Sequence, residues 1–526
     1  MKFLELLEGD LLEGVSGRAA SAAANPEITG VEHDSRRVRP GFLFVAFRGE
    51  STDGNRYIDA ALTAGAAAVV TDSAKVAPPA SGAVAWARVE HGRRALARIS
   101  ARFYGEPARR MRLSGVTGTN GKTTTTFLLE AILNAAGRKS LLVGTIEYHA
   151  GGEVIPAPHT TPEALEIQRL MARSLAAGAM EAVMEASSHA LAQERVYGLP
   201  FDVAVFTNLT RDHLDYHRDM DDYFLAKRAL FAGCGAPPPR VAAINSDDSW
   251  GARLVTFCRG QGSEVVTYGV ASGDFRAHNV ELSPAVTAFD LAAFGRTVRL
   301  RSPLIGRVNV LNILAAAAAA HGRGCSLEEI AAGVAALERV PGRFERVDRG
   351  QPFSVVVDYA HTDDALHNVL SVARDFAQRG GQGGRVITLF GCGGDRDRKK
   401  RPLMGRAAGE RSDFVVVTSD NPRSEEPMAI IHEALPGVEA SGVRHAVEPD
   451  RRRAIALALR EAKPGDIVIL AGKGHEKVQV LATGPVPFDD VAVARAELNA
   501  LGYGGAKAAP DGTFRPQAAD GRRGGS

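Results

Sequence analysis

The chain has 526 residues, 45% of them hydrophobic and 24% charged, with a formal net charge of +2. One hydrophobic core rarely grows past ~250–300 residues, so this length holds about three domains, and a balanced charge exerts no net pull toward nucleic acid or an anionic membrane surface. The opening Met1-Lys2-Phe3-Leu4-Glu5 lacks the basic-then-apolar pattern of a secretory signal, and no window reaches the ~18 apolar residues of a membrane helix, so a cytoplasmic protein without membrane insertion is expected.

Residues 1–110 carry strand-like runs at 43–47 and 67–70, separated by Gly/Asp turn chemistry and an Ala-rich helical stretch over 57–66, which predicts a small α/β domain. Residues 111–340 open with a strand at 112–116 feeding a Gly-rich turn and run on to an Ala-rich helix over 311–321; this predicts a larger α/β nucleotide domain. Turn residues at Val340-Pro341-Gly342-Arg343 break the pattern. Four apolar runs then follow, at 354–357, 386–390, 414–417 and 467–471, and predict a third, doubly wound domain over 341–503 whose ligand residues lie beyond the strand C-termini. The tail 504–526, rich in Gly, Pro, Ala and charge without a hydrophobic period, is expected to be disordered. The four cysteines, Cys234, Cys258, Cys325 and Cys392, have no C-x-x-C spacing and read as reduced thiols.

Gly118-Thr119-Asn120-Gly121-Lys122-Thr123-Thr124 follows a predicted strand and opens a helix whose apolar positions Phe127, Leu128, Ile132 and Leu133 keep helical spacing. In that context glycines let backbone N–H groups converge on phosphate oxygens, and the helix N-terminus adds positive potential. Lys122 can bridge phosphates, and the Thr123 hydroxyl can ligate Mg²⁺. The strict G-x-x-x-x-G-K-[ST] spacing is not met, because Val116 stands five positions before Gly121.

A strand-like Ala182-Val183-Met184 ends at Glu185, with Ser187, Ser188 and His189 beyond it. A second strand over 202–206 ends in Thr207-Asn208-Leu209-Thr210-Arg211-Asp212-His213-Leu214-Asp215-Tyr216-His217. Taken alone, each cluster reads as a capped, solvated loop and His213 as a surface histidine. Two such clusters at neighbouring strand ends in a phosphate-loop domain point instead to metal and phosphate chemistry. Lys227, in the helical stretch 223–231, reads by itself as a solvated helix lysine.

The segments GTNGKTT at Gly118, EASSHAL at Glu185, TNLTRDHLDYH at Thr207, GRFE at Gly342, DYAH at Asp358, GCGGDRD at Gly391, DNPR at Asp420 and GKGHE at Gly472 together resemble the Mur ligase family, and the likeness spans residues 34–476. The resemblance implies an α/β protein of three domains: a small N-terminal UDP-sugar-binding domain, a central P-loop-type ATPase domain and a C-terminal Rossmann-like domain for the incoming amino acid. It implies an ATP-dependent amide ligase of cell-wall peptidoglycan synthesis, with small-molecule substrates and a monomeric chain. ATP falls to Gly118, Thr119, Asn120, Gly121, Lys122, Thr123 and Thr124, with Asn312, Arg343, Asp358 and His361 closing on base and ribose. The implied catalytic residues are Lys122, Glu185, His213 and Lys227. Mg²⁺ would be held by Thr123, Glu185, His213 and Lys227 as its carbamate, since a lysine in a low-dielectric site readily yields the neutral amine that captures carbon dioxide.

For the UDP-N-acetylmuramoyl-dipeptide substrate the resemblance implies Ser35, the loosely matching Glu50-Ser51-Thr52 turn, Thr160, Thr161, Ser187, Gln193 and Arg195. For the incoming diaminopimelate it implies Arg396, Asp420, Asn421, Pro422, Arg423, Gly472 and Glu476. Diaminopimelate differs from lysine chiefly by a second carboxylate, and an arginine at Arg423 offers that carboxylate a bidentate, always-charged partner. A lysine-adding ligase of the same family and a folylpolyglutamate synthetase-like ligase are the alternatives. One departure stands out: His361-Thr362-Asp363-Asp364 replaces the family's usual His-Thr-Pro-Asp, and Asp363 is compatible with a helix's first turn.

Overall fold

The computed structural model describes residues 1–8, 25–50, 52–78, 84–283, 285–379 and 383–504. Ser51 and the tail beyond Gly504, on which two of the sequence expectations fall, lie outside the described residues. The chain forms two compact units, one of Met1–Phe344 with Arg396–Lys400, the other of Glu345–Asp395 with the chain from Arg401 on.

The first unit contains two sheets. A four-stranded parallel sheet takes β1 (Gly30–Glu32), β2 (Phe42–Ala46), β3 (Ala68–Thr71) and β4 (Ala85–Arg88) in that order. Its apolar runs are buried on both faces, as parallel strands require: Leu43 and Val45 enter one cluster, Phe44 and Ala46 the other. The helix expected over 57–66 is a 3₁₀ turn, Gly54–Tyr57, followed by Ile58–Thr63; Gly65, at φ +94°, ends it early in the left-handed conformation that glycine tolerates. A further helix, Gly92–Phe103, buries Ala95, Leu96 and Ile99 against the sheet.

The larger sheet has eleven strands. Its parallel centre comprises β5 (Arg112–Thr117), β6 (Ser140–Val143), β9 (Glu181–Glu185), β10 (Phe201–Phe206), β11 (Val241–Asn245), β12 (Glu264–Gly269) and β13 (Phe275–Leu282). Antiparallel strands extend both edges: β7 (Glu147–Ala150) and β8 (Glu153–Pro156) beside β6, β14 (Thr287–Ala293) and β15 (Arg296–Ser302) beside β13. The sequence does not announce these edges, because Glu153–Pro156 has only four residues and is largely exposed, and Arg296–Ser302 is largely exposed and polar. β5 lies between β10 and β9, and the registers Phe206↔Thr117 and Val116↔Glu185 set their C-terminal ends side by side.

Helices Lys122–Ala135, Arg307–Gly322 and Leu327–Ala336 share one core with the face of this sheet. In Arg307–Gly322 the run of alanines over 315–320 is fully buried; a helix apolar on all sides belongs inside, and small side chains let strands and helices approach closely.

The second unit is a six-stranded sheet in the order β16 (Glu345–Arg346), β17 (Ser354–Asp358), β21 (Ile467–Ala471), β18 (Val386–Cys392), β19 (Phe414–Ser419), β20 (His445–Val447), all parallel except β16. A hairpin of β22 (Val478–Leu481) and β23 (Gly484–Pro487) follows β21. With β18 between β21 and β19, the loops after these strands, at Gly393, Asp420 and Gly472, emerge at one sheet edge, where such folds bind ligands. Helix Asp363–Arg379 starts at Asp363, and the Thr362 hydroxyl caps it by accepting the Ala365 N–H at 3.1 Å.

Candidate active site

The loop after β5 is held in its shape from two sides. Gly118, at φ +149°, and Gly121, at φ +88°, take backbone conformations that disfavour any side chain, and an added Cβ would come within 1.8 Å of the Thr207 hydroxyl or 2.3 Å of Asn312 Oδ1. Asn208 clamps the loop: its Oδ1 accepts the Asn120 N–H at 2.9 Å, its Nδ2 donates to the Asn120 carbonyl at 3.0 Å, and its own carbonyl accepts the Thr119 N–H at 2.8 Å. Thr124 is buried in the first turn of the following helix. Lys122 folds back, its Nζ donating to the Gly118 and Thr119 carbonyls at 3.0 and 2.9 Å. Burial pulls its ammonium below the usual lysine range; Glu185 opposes that shift and Arg343 adds to it.

Glu185 ends β9 fully buried, and its carboxylate accepts from the Thr123 hydroxyl at 3.1 Å and from the Thr145 N–H and hydroxyl at 2.7 and 2.9 Å. Arg343 Nη2 reaches the Thr123 hydroxyl at 3.2 Å, so Thr123, Glu185 and Arg343 form one constellation. Thr160 joins through a 3.1 Å hydroxyl contact with Thr145, and the Thr161 hydroxyl donates to the Glu185 carbonyl at 2.7 Å while accepting the Ser187 N–H at 3.1 Å.

Lys227 is the largest departure from the pattern reading: it is only 1% exposed. Its Nζ donates to the Gly118 carbonyl at 2.7 Å and sits 4.3 Å from the centre of the Tyr223 ring. Burial, then repulsion from Lys122, drives its pKa well below the ordinary lysine value. His213 adopts φ +54°, pairs with Asp212 at 3.3 Å and packs edge-on against His189 at 4.8 Å between ring centres. Among the described residues no three His, Cys, Asp or Glu side chains cluster at metal-binding spacing. The adjoining Thr123 hydroxyl and Glu185 carboxylate are oxygen donors of the kind that Mg²⁺ takes.

Gln193 and Arg195 follow the short helix after Glu185. Arg195 donates to the Thr161 carbonyl at 3.0 Å and to Gln193 Oε1 at 2.8 Å, and Gln193 Nε2 donates to Glu50 at 2.7 Å, which brings the Glu50 turn to the central domain. Thr52 closes that turn, its carbonyl accepting the Gly49 N–H at 2.9 Å. Ser35 opens the 3₁₀ turn Ser35–Arg37, capped by Asp34.

In the second unit Asp420, Asn421, Pro422 and Arg423 follow β19. Arg423, at φ +53°, donates through Nη1 to the Gly394 carbonyl at 2.7 Å. Gly472, at φ +115°, lies beside the Asp420 carboxylate, 3.1 Å from where a Cβ would stand. Asn421 Nδ2 donates to Glu476 Oε2 at 2.8 Å. Sequence reasoning quoted Lys473 within GKGHE but gave it no role; it is fully buried and donates to Asn421 Oδ1 at 3.0 Å and Glu476 Oε2 at 2.9 Å, with Asp420 at 3.7 Å. Its position just past a buried strand, between two glycines, was the available signal. Burial raises the Asp420 carboxyl; burial also pushes Glu476 up, but the Lys473 charge and the bonds from Lys473 and Asn421 override it and leave Glu476 below its ordinary value. Asp358 ends β17 and accepts the Ala360 N–H at 2.8 Å, and His361 packs on Tyr359 at 4.7 Å between ring centres. Arg396 falls in the segment Arg396–Lys400 of the first unit.

A glycine-rich loop at a helix N-terminus, with the half-buried Lys122, the buried Lys227 and a strand-end carboxylate beside it, can host phosphoryl transfer. Residues 27–104 match the Mur ligase family catalytic domain, 116–320 the Mur ligase middle domain and 342–474 the Mur ligase glutamate ligase domain. The chain belongs to the Mur ligase family. It is 53% identical to the UDP-N-acetylmuramoyl-L-alanyl-D-glutamate--2,6-diaminopimelate ligase of Solibacter usitatus, over 92% of this chain and 96% of that one. To the ligase of the same name from Geobacter metallireducens it is 46% identical, over 94% and 99% of the two chains. A solved structure of a UDP-N-acetylmuramoyl-L-alanyl-D-glutamate--2,6-diaminopimelate ligase is 33% identical, with a TM-score of 0.62 over 90% of this chain and 96% of that one.

Proposed function

We propose that the chain ligates meso-2,6-diaminopimelate to the D-glutamate γ-carboxylate of UDP-N-acetylmuramoyl-L-alanyl-D-glutamate, using ATP, in peptidoglycan synthesis. The observation that carries this reading is the Asn421–Arg423–Glu476 constellation at the sheet edge of the second unit, in a chain that matches diaminopimelate-adding relatives over nearly its whole length.

A carboxylate does not react with an amine at neutral pH, because the leaving group would be oxide. A γ-carboxylate oxygen therefore attacks the γ-phosphorus of ATP, the bond to ADP breaks, and an acyl phosphate forms. The amine of the incoming residue then attacks the acyl carbon, loses its proton, and phosphate leaves. Gly118, Thr119, Asn120, Gly121, Thr123 and Thr124 cradle the phosphates, and Lys122 exchanges its two loop carbonyls for phosphate oxygens. Asn312, Arg343, Asp358 and His361 are assigned to the rest of the nucleotide. Thr123, Glu185, His213 and Lys227 as its carbamate would hold Mg²⁺, which would supply charge neutralisation. The depressed Lys227 pKa supports carbamylation, which needs the neutral amine.

Ser35, Glu50, Ser51, Thr52, Thr160, Thr161, Ser187, Gln193 and Arg195 are assigned to the muramoyl-dipeptide; Arg396, Asp420, Asn421, Pro422, Arg423, Gly472 and Glu476 to diaminopimelate. Substrates such as ATP and a UDP-sugar support a cytoplasmic site of action, and among the described residues no helix is long and apolar enough to cross a membrane. The reading includes a monomeric chain.

The test is phosphate release by purified protein with ATP, Mg²⁺ and UDP-N-acetylmuramoyl-L-alanyl-D-glutamate, comparing added diaminopimelate with added lysine. Release that depends on diaminopimelate is expected. Equal release with no amino acid would overturn the ligase reading, and preference for lysine would overturn the choice of substrate.

A further inference from the structure

The helix Gly92–Phe103 of the N-terminal sheet carries three arginines that reach the central domain. Two of them only dock it: Arg94 forks onto Glu194 at 2.7 and 3.0 Å, and Arg98 donates to the Tyr197 hydroxyl at 3.0 Å, both guanidinium groups lying over the Tyr197 ring. Arg93 differs. Its Nη1 binds both oxygens of Glu163, at 2.9 and 3.1 Å, and its Nη2 reaches Gln193 Oε1 at 3.5 Å, while its guanidinium lies 5.0 Å over the Phe47 ring.

Both acceptors of Arg93 are shared with Arg195: Glu163 Oε1 stands 3.2 Å from Arg195 Nε, and Gln193 Oε1 accepts from Arg195 Nη2 at 2.8 Å. Gln193 in turn holds Glu50 of the N-terminal domain. A carboxylate and an amide oxygen thus lie between two guanidinium groups, one from each domain.

We infer that Arg93, with Glu163, is a positioning residue for the muramoyl-dipeptide substrate, acting through Gln193 and Arg195. The inference rests on the assignment of Gln193 and Arg195 to that substrate. The physical reason is competition for charge. Glu163 facing Arg195 alone would spend the Arg195 charge on an internal ion pair; with Arg93 satisfying both carboxylate oxygens, Arg195 keeps its orientation and leaves its charge for an anionic substrate group. The Arg93 side chain is largely buried, so the pair is less screened than an exposed one.

The experiment compares Arg93→Ala, Glu163→Gln, Arg98→Ala, Arg195→Ala and the double variant Arg93→Ala/Arg195→Ala in steady-state kinetics, with calorimetric binding of UDP-N-acetylmuramoyl-L-alanyl-D-glutamate. Arg93→Ala is expected to raise KM for the UDP-substrate about tenfold, the scale of one charge-assisted hydrogen bond, with kcat and the KM for ATP and for diaminopimelate unchanged. Arg98→Ala, which removes a docking contact alone, should leave all constants unchanged, and the double variant should be no worse than Arg195→Ala. If Arg93→Ala fails to fold, Arg93→Gln reads the same rise in KM, and adding Glu163→Gln to either variant should bring KM back toward the wild-type value, because no carboxylate then competes for Arg195.

A wild-type KM in Arg93→Ala, or in Arg93→Gln where Arg93→Ala does not fold, would overturn the inference, as would an equal rise in Arg98→Ala or additivity with Arg195→Ala. Absence of UDP-substrate binding by the wild-type protein would instead overturn the functional assignment on which it rests.

Discussion

Lys122 and Lys227 donate to the same acceptor, the Gly118 carbonyl, at 3.0 and 2.7 Å. Two like-charged side chains converging on one carbonyl repel each other: burial lowers Lys122, while burial and the Lys122 charge drive the fully buried Lys227 further from the ordinary lysine value. On the proposed carbamylation, the neutral Lys227 amine and carbon dioxide would give an anionic carbamate and a released proton, placing a negative charge beside Lys122. Protein depleted of carbon dioxide should therefore lose activity, and added bicarbonate should restore it. Lys227→Ala should fall by at least about a hundredfold in kcat, as the loss of the proposed metal ligand would predict, and should not respond to bicarbonate. Wild-type kinetics that ignore bicarbonate after thorough degassing would refute this.

Arg423 is poised by its backbone as much as by its side chain: the residue is left-handed, its N–H donates to the Val480 carbonyl at 3.0 Å, and its Nη1 is fixed on Gly394. A fork held in this way discriminates a terminal carboxylate from a bare methylene. Arg423→Ala is expected to raise KM for diaminopimelate about ten- to hundredfold, leave KM for ATP unchanged, and narrow the preference over lysine. Equal effects on both amino acids would show that Arg423 does not read the distal carboxylate.

Which parts of this were legible beforehand follows from burial. The phosphate loop was readable because a buried strand, two forced glycines and an apolar-periodic helix all lie within one short stretch, each a local signal. Lys227 was not, because on its helix the pattern is inverted: Leu225 is 44% exposed while Lys227 is buried. Hydrophobic periodicity assigns those two the opposite faces, and only the family resemblance corrected it. The antiparallel edges of the large sheet were hidden because strands such as Glu153–Pro156 and Arg296–Ser302 are largely exposed, and the role of Lys473 because Asn421, its partner, lies far along the chain.

Lys473 has no water to fall back on. It is fully buried among Asn421, Glu476 and Asp420, and the Asn421 amide bridges it to Glu476, so removing the ammonium leaves the buried Asp420 and partly buried Glu476 carboxylates without their cation. Breaking a buried pair by deleting one partner typically costs about 3–5 kcal/mol. Lys473→Met should lower the denaturation midpoint of the full chain and raise KM for diaminopimelate while KM for the UDP-substrate stays put. Differential scanning calorimetry alongside amino-acid kinetics checks both; an unchanged diaminopimelate KM in a folded Lys473→Met would reduce the residue to a structural part.

His149 gives the first unit a pH dependence unrelated to catalysis. Burial alone would lower its pKa, but Glu130 at 2.8 Å and Glu147 at 3.0 Å outweigh burial and raise it from 6.5 to about 9. Below about pH 6.5 the imidazole is protonated folded or unfolded, and the two ion pairs contribute in full. Between 6.5 and 9 the folded state holds a proton that the unfolded state has released, so stability falls as pH rises, and above about 9 the contribution is gone. Allowing for partial exposure, about 1–3 kcal/mol is at stake. Thermal midpoints measured from pH 6 to 9.5 should therefore decline more steeply for the wild type than for His149→Gln, the two curves converging at the alkaline end. Parallel curves across that range would mean that His149 titrates at its ordinary value and that the two glutamates do not hold its proton.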